Sequence, residues 1–173
     1  MIEIVNKILA LGAILLLAVS LVVIVRLVRN KQNDSLLVWI SKYALHIGFA
    51  LSLASLVASL FYSEIAGFVP CTLCWIQRIF IYPQVILFGV ALKKKDHGIL
   101  SYSLPLTLIG GFFALYHNYL YFGGTPAIPC DANASCTQRF VFEFGFMTIP
   151  LMAFSLFLAL GIMYFISKRY PRI

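Results

Sequence analysis

The chain has 173 residues, of which 62% are hydrophobic and only 11% are charged, and its mean hydropathy is +0.96. A soluble domain carries roughly a quarter charged residues, so this composition excludes an ordinary soluble enzyme and indicates an integral membrane protein. The net charge of +7 would suit nucleic-acid binding, but the basic residues are confined to a few segments between apolar runs.

Five apolar runs are each long enough for a membrane-spanning helix, which needs roughly 20 residues. They cover residues 4–25, 43–62, 72–92, 99–120 and 145–166. The segments between the runs are short and leave no room for a separate soluble domain. The sequence therefore predicts an all-α integral membrane protein that folds as a single bundle with five transmembrane helices.

The first run has two interpretations, a retained helix or a cleaved signal peptide. Its apolar core of about 18 residues is longer than that of a typical signal peptide. It ends in "RLVRNK", which is typical of a stop-transfer flank, and no small-x-small cleavage site precedes it. We therefore expect the first helix to be retained.

The basic residues lie in alternate segments, which fall on one side of the membrane if every run spans it. They follow the first, third and fifth runs: Arg26, Arg29, Lys31 and Lys42; Lys93, Lys94 and Lys95; Lys168, Arg169 and Arg172. Because lysine and arginine collect on the cytoplasmic side, this pattern predicts an N-out, C-in topology. The same pattern explains the basic isoelectric point without a nucleic-acid partner.

All four cysteines fall on the outer side in this topology: Cys71, Cys74, Cys130 and Cys136. Disulfides persist outside the cytoplasm. Four cysteines allow three pairings, of which closeness in sequence favours 71–74 and 130–136. A structural staple is one interpretation, and it suits the second pair better, since a four-residue ring at a helix start restrains little.

Zinc binding is another interpretation, because two cysteine pairs could supply four ligands. The C-x5-C spacing is unusual for zinc, however, and "CDANASC" lacks the turn glycines of a zinc knuckle. We therefore expect redox chemistry and no metal site.

The stretch "FVPCTLCWIQR" places a dithiol at the head of the third run. A helix that begins near Cys71 would put Cys71, Cys74 and Arg78 on one face, at i, i+3 and i+7. The helix N-terminus and a nearby cation both lower the pKa of a cysteine. Arg78 would lie about 10 Å below Cys71, at a depth where a charge is costly and usually functional, although snorkelling to the interface is the alternative.

A membrane dithiol needs an electron acceptor, and the sequence offers no haem ligand set and no dinucleotide-binding glycine loop. A quinone fits, because it carries two electrons and reaches the site through the bilayer. Arg78 could stabilise a thiolate or a quinone oxyanion. Gln77 faces the same pocket or a neighbouring helix, and His117 could bind a quinone carbonyl or transfer protons, although the tyrosines around it are typical of an interfacial belt.

The segment "PCTLCWIQR" resembles the P-C-x-L-C-x-x-[EQ]-R signature of the DsbB/BdbC family of disulfide-bond formation proteins. The segments "GGFFALYHNYL", "PCDANASC" and "FGFMTIPLMAF" resemble later parts of that family, in particular the Gram-positive-type BdbC members. The resemblance covers about residues 43–166. It implies a four-helix DsbB-like membrane domain over residues 38–173, with residues 1–37 forming an extra N-terminal transmembrane helix and a cytoplasmic loop.

The resemblance also implies a relay that supports disulfide formation in proteins exported from bacteria. A DsbA-like thioredoxin-fold partner would reduce the Cys130–Cys136 disulfide, with Cys130 forming the mixed disulfide. The electrons would pass to Cys71 and Cys74 and then to ubiquinone or menaquinone beside Arg78. The protein would lie in the bacterial cytoplasmic membrane, with both cysteine pairs on the extracytoplasmic side.

Two other functions are compatible with a membrane protein of this kind. In an enzyme resembling vitamin K epoxide reductase, the loop cysteine pair precedes the C-x-x-C motif, whereas here it follows. In a non-catalytic membrane subunit the disulfides would only brace the outer loops, and Arg78 would then have no purpose.

Overall fold

The computed structural model of the protein describes residues 1–29, 34–125, 127 and 135–170. Within them, five helices are long and apolar enough to cross a membrane, which confirms the predicted fold class. They are α1 (Ile2–Val28), α2 (Ser35–Leu60), α3 (Thr72–Lys94), α4 (Ile99–Tyr121) and α5 (Ile149–Arg169). A π-helical turn, Phe61–Ile65, extends α2, and a small antiparallel hairpin of β1 (Phe142–Glu143) and β2 (Met147–Thr148) precedes α5.

The helix ends differ from the apolar runs where polar groups decide them. Helix α2 begins at Ser35 rather than at residue 43, because the Asp34 carboxylate accepts a hydrogen bond from Leu36 N at 3.0 Å and caps the helix. Helix α5 begins at Ile149 rather than at residue 145. The hairpin occupies the preceding residues, and its turn places Phe144 and Gly145 at φ of 55° and 77°.

Helices α2 to α5 form a bundle in which α3 packs on α2 and α4, and α5 packs on α4 and α2. Phe88 and Phe157 are fully buried in its centre. Helix α1 lies outside this bundle, packs along α5 and contacts α2 only slightly. The architecture is therefore a four-helix bundle with an added N-terminal helix, as predicted.

The bundle has two chemically different ends. Cys71, Cys74 and His117 lie at one end, where α3 begins and α4 finishes. The basic residues that follow α1, α3 and α5, or end these helices, lie at the other end: Arg26, Arg29, Lys93, Lys94, Lys95, Lys168 and Arg169. At that end the Arg169 Nη1 group donates a hydrogen bond to Leu27 O at 3.3 Å, which ties α5 to α1.

Gly110 marks a close helix approach, and a substitution there tests the packing. A Cβ at this position would overlap the Phe157 ring and lie 2.9 Å from Phe80 Cβ. Overpacking costs about 1–3 kcal/mol, against a gain of roughly 0.5–1 kcal/mol for replacing a helical glycine. We therefore expect Gly110→Ala to lower the midpoint of thermal unfolding in detergent.

Gly161→Ala is the matched control for this substitution. Its Cβ would lie 3.5 Å from Thr107 Cγ2, which is an ordinary contact, so its midpoint should stay the same or rise. Equal midpoints for the two alanine variants would contradict the packing at Gly110.

Candidate functional site

The C-x-x-C motif forms the first turn of α3. Cys71 is the N-cap residue, with extended backbone (φ −74°, ψ 171°), and its sulfur accepts a hydrogen bond from Cys74 N at 3.4 Å. The Cys71 and Cys74 Sγ atoms lie 3.0 Å apart, and both cysteines are free. The Cys71 sulfur thus lies at the N-terminus of α3 and accepts from one N–H group of its first turn, which favours a negative charge on the sulfur.

Hydrogen bonds lower the pKa of the Cys71 thiol well below its usual range. The largest cause is the hydrogen bond from the Cys74 side chain; His117 adds a hydrogen bond and an electrostatic attraction, while burial acts in the opposite direction. Cys71 is therefore a thiolate at neutral pH, the form that takes part in thiol–disulfide exchange.

His117 connects the dithiol to the segment that follows α4. Its Nε2 lies 3.7 Å from Cys71 Sγ and 3.1 Å from Cys136 O, and its Nδ1 lies 3.0 Å from Gln77 Nε2. If the Gln77 amide donates to Nδ1, the ring hydrogen is on Nε2, where it can be donated to Cys71 and to Cys136. The side chain is buried, so His117 is not a surface residue of an interfacial belt.

Cys136 is buried and disulfide-bonded, and it packs in one apolar cluster with Cys71, Leu73 and Leu120. Cys130, the other cysteine predicted in this loop, lies outside the described residues. The residues that follow Cys136 are held at the end of α4, because Arg139 Nη2 donates a hydrogen bond to Tyr121 O at 2.6 Å. The part of the loop that contains Cys136 is thus held against the C-x-x-C motif.

Arg78 is bound inside the bundle. Its Nε donates to Ser59 Oγ at 2.9 Å, its Nη2 donates to Ser59 O at 3.0 Å, and its guanidinium lies over the Trp75 ring at 5.0 Å. The Tyr82 hydroxyl donates a hydrogen bond to Ser59 Oγ at 3.2 Å. The guanidinium is therefore fixed between α2 and α3 by these contacts.

A cavity of about 610 Å³ lies beside the dithiol. Its polar end is lined by Cys74, Gln77, Arg78, His117, Ser59, Tyr62 and Tyr82. The cavity brings together Arg78, Gln77 and His117, the three residues that the sequence suggests for cofactor binding. Cys74 is the cysteine among its described lining residues. A second cavity, of about 980 Å³, lies between α1, α4 and α5, but its described lining contains no cysteine, so we assign no chemistry to it.

The cavity contains polar groups that a ligand could satisfy. Tyr62 is 6% exposed, and its hydroxyl has no hydrogen-bond partner among the described residues. Leaving such a group unpaired costs roughly 1–3 kcal/mol. A ligand with carbonyl oxygens, such as a quinone, fits this donor and the adjacent Arg78 guanidinium.

Sequence reasoning missed Ser59, Tyr62 and Tyr82 as parts of this site. Ser59 is a small polar residue in an apolar run, and serines in membrane helices commonly bond only to their own backbone. The tyrosines resemble those of an ordinary interfacial belt. Only the packing of α2 against α3 shows that they line the same cavity.

A metal ion could also be bound here when both thiols are reduced. The ligand atoms of Cys71, Cys74 and His117 all lie within 4.8 Å of one another. Two cysteines and one histidine form a known zinc ligand set. The expectation that the protein uses no metal stays a prediction.

The lowered pKa of Cys71 predicts an unusual pH dependence of its alkylation. Reactivity follows the thiolate fraction, so for an ordinary cysteine it is half-maximal at about pH 8.5 and levels off only above that pH. We expect the iodoacetamide rate at Cys71, followed by peptide mass spectrometry, to level off at a lower pH. His117→Phe should raise the pH at which the alkylation rate is half-maximal, whereas His46→Phe, at an exposed position of α2, should not. If this pH is that of an ordinary cysteine in the unmodified protein, Cys71 is not a thiolate at neutral pH.

Comparison with known proteins shows the family of this chain. A family model described as "Disulfide bond formation protein DsbB" matches residues 41–166. The chain is 40% identical over 127 residues to the probable disulfide formation protein C 1 of Bacillus anthracis, covering 72% of this chain and 91% of the relative. It is 37% identical over 119 residues to the disulfide bond formation protein C of Bacillus subtilis (strain 168), covering 66% and 84%. No solved structure gives a significant match. The chain therefore belongs to the DsbB family of disulfide bond formation proteins.

Proposed function

We propose that this protein is a dithiol:quinone oxidoreductase, which takes electrons from a DsbA-like thioredoxin-fold protein and passes them to a membrane quinone. Membership of the family supports a disulfide oxidoreductase role in disulfide formation. The observation that carries the finer proposal is the position of the dithiol: Cys71 packs against Cys136, while Cys74 lines the cavity that contains Arg78.

The first half of the reaction is two thiol–disulfide exchanges. The dithiol of the partner reduces a loop disulfide, for which we propose Cys130 and Cys136, and Cys130 forms the mixed disulfide. The loop dithiol then reduces the disulfide of Cys71 and Cys74. Each exchange transfers two electrons and conserves the number of disulfides.

The second half re-forms the Cys71–Cys74 disulfide. A bound quinone supplies the oxidising power, since it accepts two electrons and two protons. Cys71 enters this step as a thiolate, so the Cys74 thiol releases one proton and solvent provides the other. The Cys71 and Cys74 sulfurs already lie 3.0 Å apart, while Arg78 places a fixed positive charge where an oxyanion would develop.

The redox state of the described cysteines is compatible with this scheme. Cys71 and Cys74 are free thiols, whereas Cys136 is disulfide-bonded. The relay passes through this distribution just before the quinone is reduced.

We also propose that the protein lies in the bacterial cytoplasmic membrane with its cysteine end on the extracytoplasmic side. The basic residues at the opposite end support this orientation. After mild reduction, a membrane-impermeant thiol reagent should label the loop cysteines of intact cells. Labelling only after the cells are opened would reverse the orientation.

The function is tested with the purified protein, a reduced DsbA-like protein and a quinone. We expect the quinone absorbance to fall, with one quinone reduced for each partner disulfide formed. The rate should be negligible when either substrate is omitted. Partner oxidation without quinone consumption, or no partner oxidation at all, would overturn the proposal.

A further inference from the structure

Helix α1 contributes one wall of the cavity beside the dithiol, although it lies outside the region that matches the family. We infer that α1 is part of the quinone site and holds the hydrocarbon tail of the quinone against α2 and α5. This inference rests on the proposed quinone reduction and adds a residue-level function for the extra helix.

The α1 wall is one continuous strip of the helix. The residues that line the cavity are Ile8, Leu9, Gly12, Ala13, Leu15, Leu16 and Val19. From residue 8 to residue 19 the helix rises about 16 Å. The strip therefore covers a distance that a small ring alone would not fill.

The cavity has two chemically different parts. Its polar part contains Cys74, Arg78 and the unpaired Tyr62 hydroxyl. The rest of the lining is mainly apolar: besides Ser55 and Ser155 it includes Leu51 and Ala54 of α2, Ile81 of α3, and Met152 and Leu156 of α5. A molecule with an oxygen-bearing ring and an apolar tail matches both parts, and the redox-active Cys74 at the polar end identifies the ring as one that can accept electrons.

The way α1 packs leaves this cavity open to lipid. At one end of the helix, Ala10 and Ala13 pack with Met147, and at the other end Val23 packs with Ile162 of α5 and Leu37 of α2. Along its length α1 packs mainly on α5 and touches α2 only slightly. The gap toward α2 gives a long apolar tail a route in from the bilayer.

Exposure of the α1 wall supports the same route. Ile8 is 61% exposed, Leu15 is 66% exposed and Val19 is 46% exposed, yet all three line the cavity. Side chains that line a cavity and also face lipid mark its opening. The tail would therefore pass beside these residues as it leaves the protein.

Gly12 offers a direct test because it lies within the α1 wall. A Cβ added there would meet nothing within 4 Å, so a larger side chain would project into free space rather than into the protein. Gly12→Leu should thus occupy part of the tail region without disturbing the fold. Ala18→Leu is the matched control, because Ala18 is exposed on the same helix and is not part of the cavity lining.

Quinone binding is measured directly by quenching of Trp75 fluorescence. Trp75 lies over the Arg78 guanidinium at the polar end, and Trp39→Phe removes the other tryptophan. The probes are a long-tailed menaquinone and tail-less menadione. Gly12→Leu should weaken binding of the long-tailed quinone about tenfold and that of menadione by less than about twofold, and Ala18→Leu should change neither.

The amount of quinone that stays with the protein through purification is a second measurement. It should fall in Gly12→Leu and remain normal in Ala18→Leu. Val19→Phe, which enlarges another exposed residue of the same wall, replaces Gly12→Leu if that variant does not fold, and the same loss is expected.

Two outcomes would overturn the inference. Normal affinity of Gly12→Leu for the long-tailed quinone would show that α1 does not hold the tail. Equal weakening of both probes, in a variant with unchanged thermal stability, would place the ring rather than the tail beside Gly12. If the unmodified protein reduces no quinone, the proposed function itself is wrong. If it reduces quinone normally and the α1 variants bind the long-tailed quinone as well as it does, only the inference about α1 is wrong.

Discussion

Replacing Cys74 with serine is expected to reduce quinone reduction to the uncatalysed background, a loss of at least about a thousandfold. Cys74 is the cysteine that lines the cavity, and its sulfur is 3.0 Å from that of Cys71. Without it the Cys71–Cys74 disulfide cannot form, so no two-electron step remains. Cys71→Ser should have the same effect on the overall rate, measured with a reduced DsbA-like protein and a quinone.

The two serine variants should differ in what they still do. Cys74→Ser retains Cys71 beside Cys136, so it can trap a mixed disulfide with the loop, whereas Cys71→Ser should trap none. Non-reducing peptide mapping distinguishes these products. Thr72→Ala is the matched control, since Thr72 is exposed between the two cysteines and should keep normal turnover. Full activity in either serine variant would refute the relay.

Arg78→Ala is expected to raise the apparent KM for quinone by about tenfold to a hundredfold. A hydrogen bond to a charged group contributes roughly 1.5–3 kcal/mol, and Arg78 is the cation in the described lining of the cavity. Arg78→Lys should give an intermediate value, because lysine keeps the charge but loses the planar fork of donors. Initial rates at varied quinone concentration measure the change.

Ser59→Ala separates the charge of Arg78 from its attachment to α2. This variant removes the hydroxyl that accepts from Arg78 Nε and Tyr82 but keeps the Ser59 carbonyl that binds Nη2. We expect a smaller rise in KM than in Arg78→Ala. An unchanged KM in Arg78→Ala would mean that the arginine serves only to hold α2 and α3 together.

The parts of the fold that composition determines were predictable from the sequence. Hydrophobic length indicated five spanning helices, and the alternation of basic segments anticipated that the cysteines and the basic residues would lie at opposite ends. The helix ends were less predictable: Asp34 starts α2 early by capping it, and the hairpin around Phe144 and Gly145 delays α5.

The local part of the site was also predictable, because Cys71 caps the helix that carries Cys74 and Arg78, and their spacing fixes their relative positions. The contacts between helices were not. In a membrane, lipid-facing residues are as apolar as core residues; Leu15 and Ile86 are largely exposed, while Phe88 is fully buried. Periodicity therefore does not show which face meets a neighbour, and Ser59, Tyr62 and the α1 wall could not be assigned.

When the Gln77 amide donates to His117 Nδ1, the hydrogen on Nε2 has two acceptors, the Cys71 sulfur at 3.7 Å and the Cys136 carbonyl at 3.1 Å. A single hydrogen cannot bond fully to both, so while the loop is docked the nearer carbonyl takes the larger share and the Cys71 thiolate stays reactive. If the loop left this position, the hydrogen would be available to Cys71 alone, which would stabilise the thiolate charge and lower its nucleophilicity toward the loop disulfide. Departure of the loop would thus slow the return of electrons from Cys71 to the loop disulfide. An unchanged pKa of the Cys71 thiol after displacement of the loop would contradict this effect.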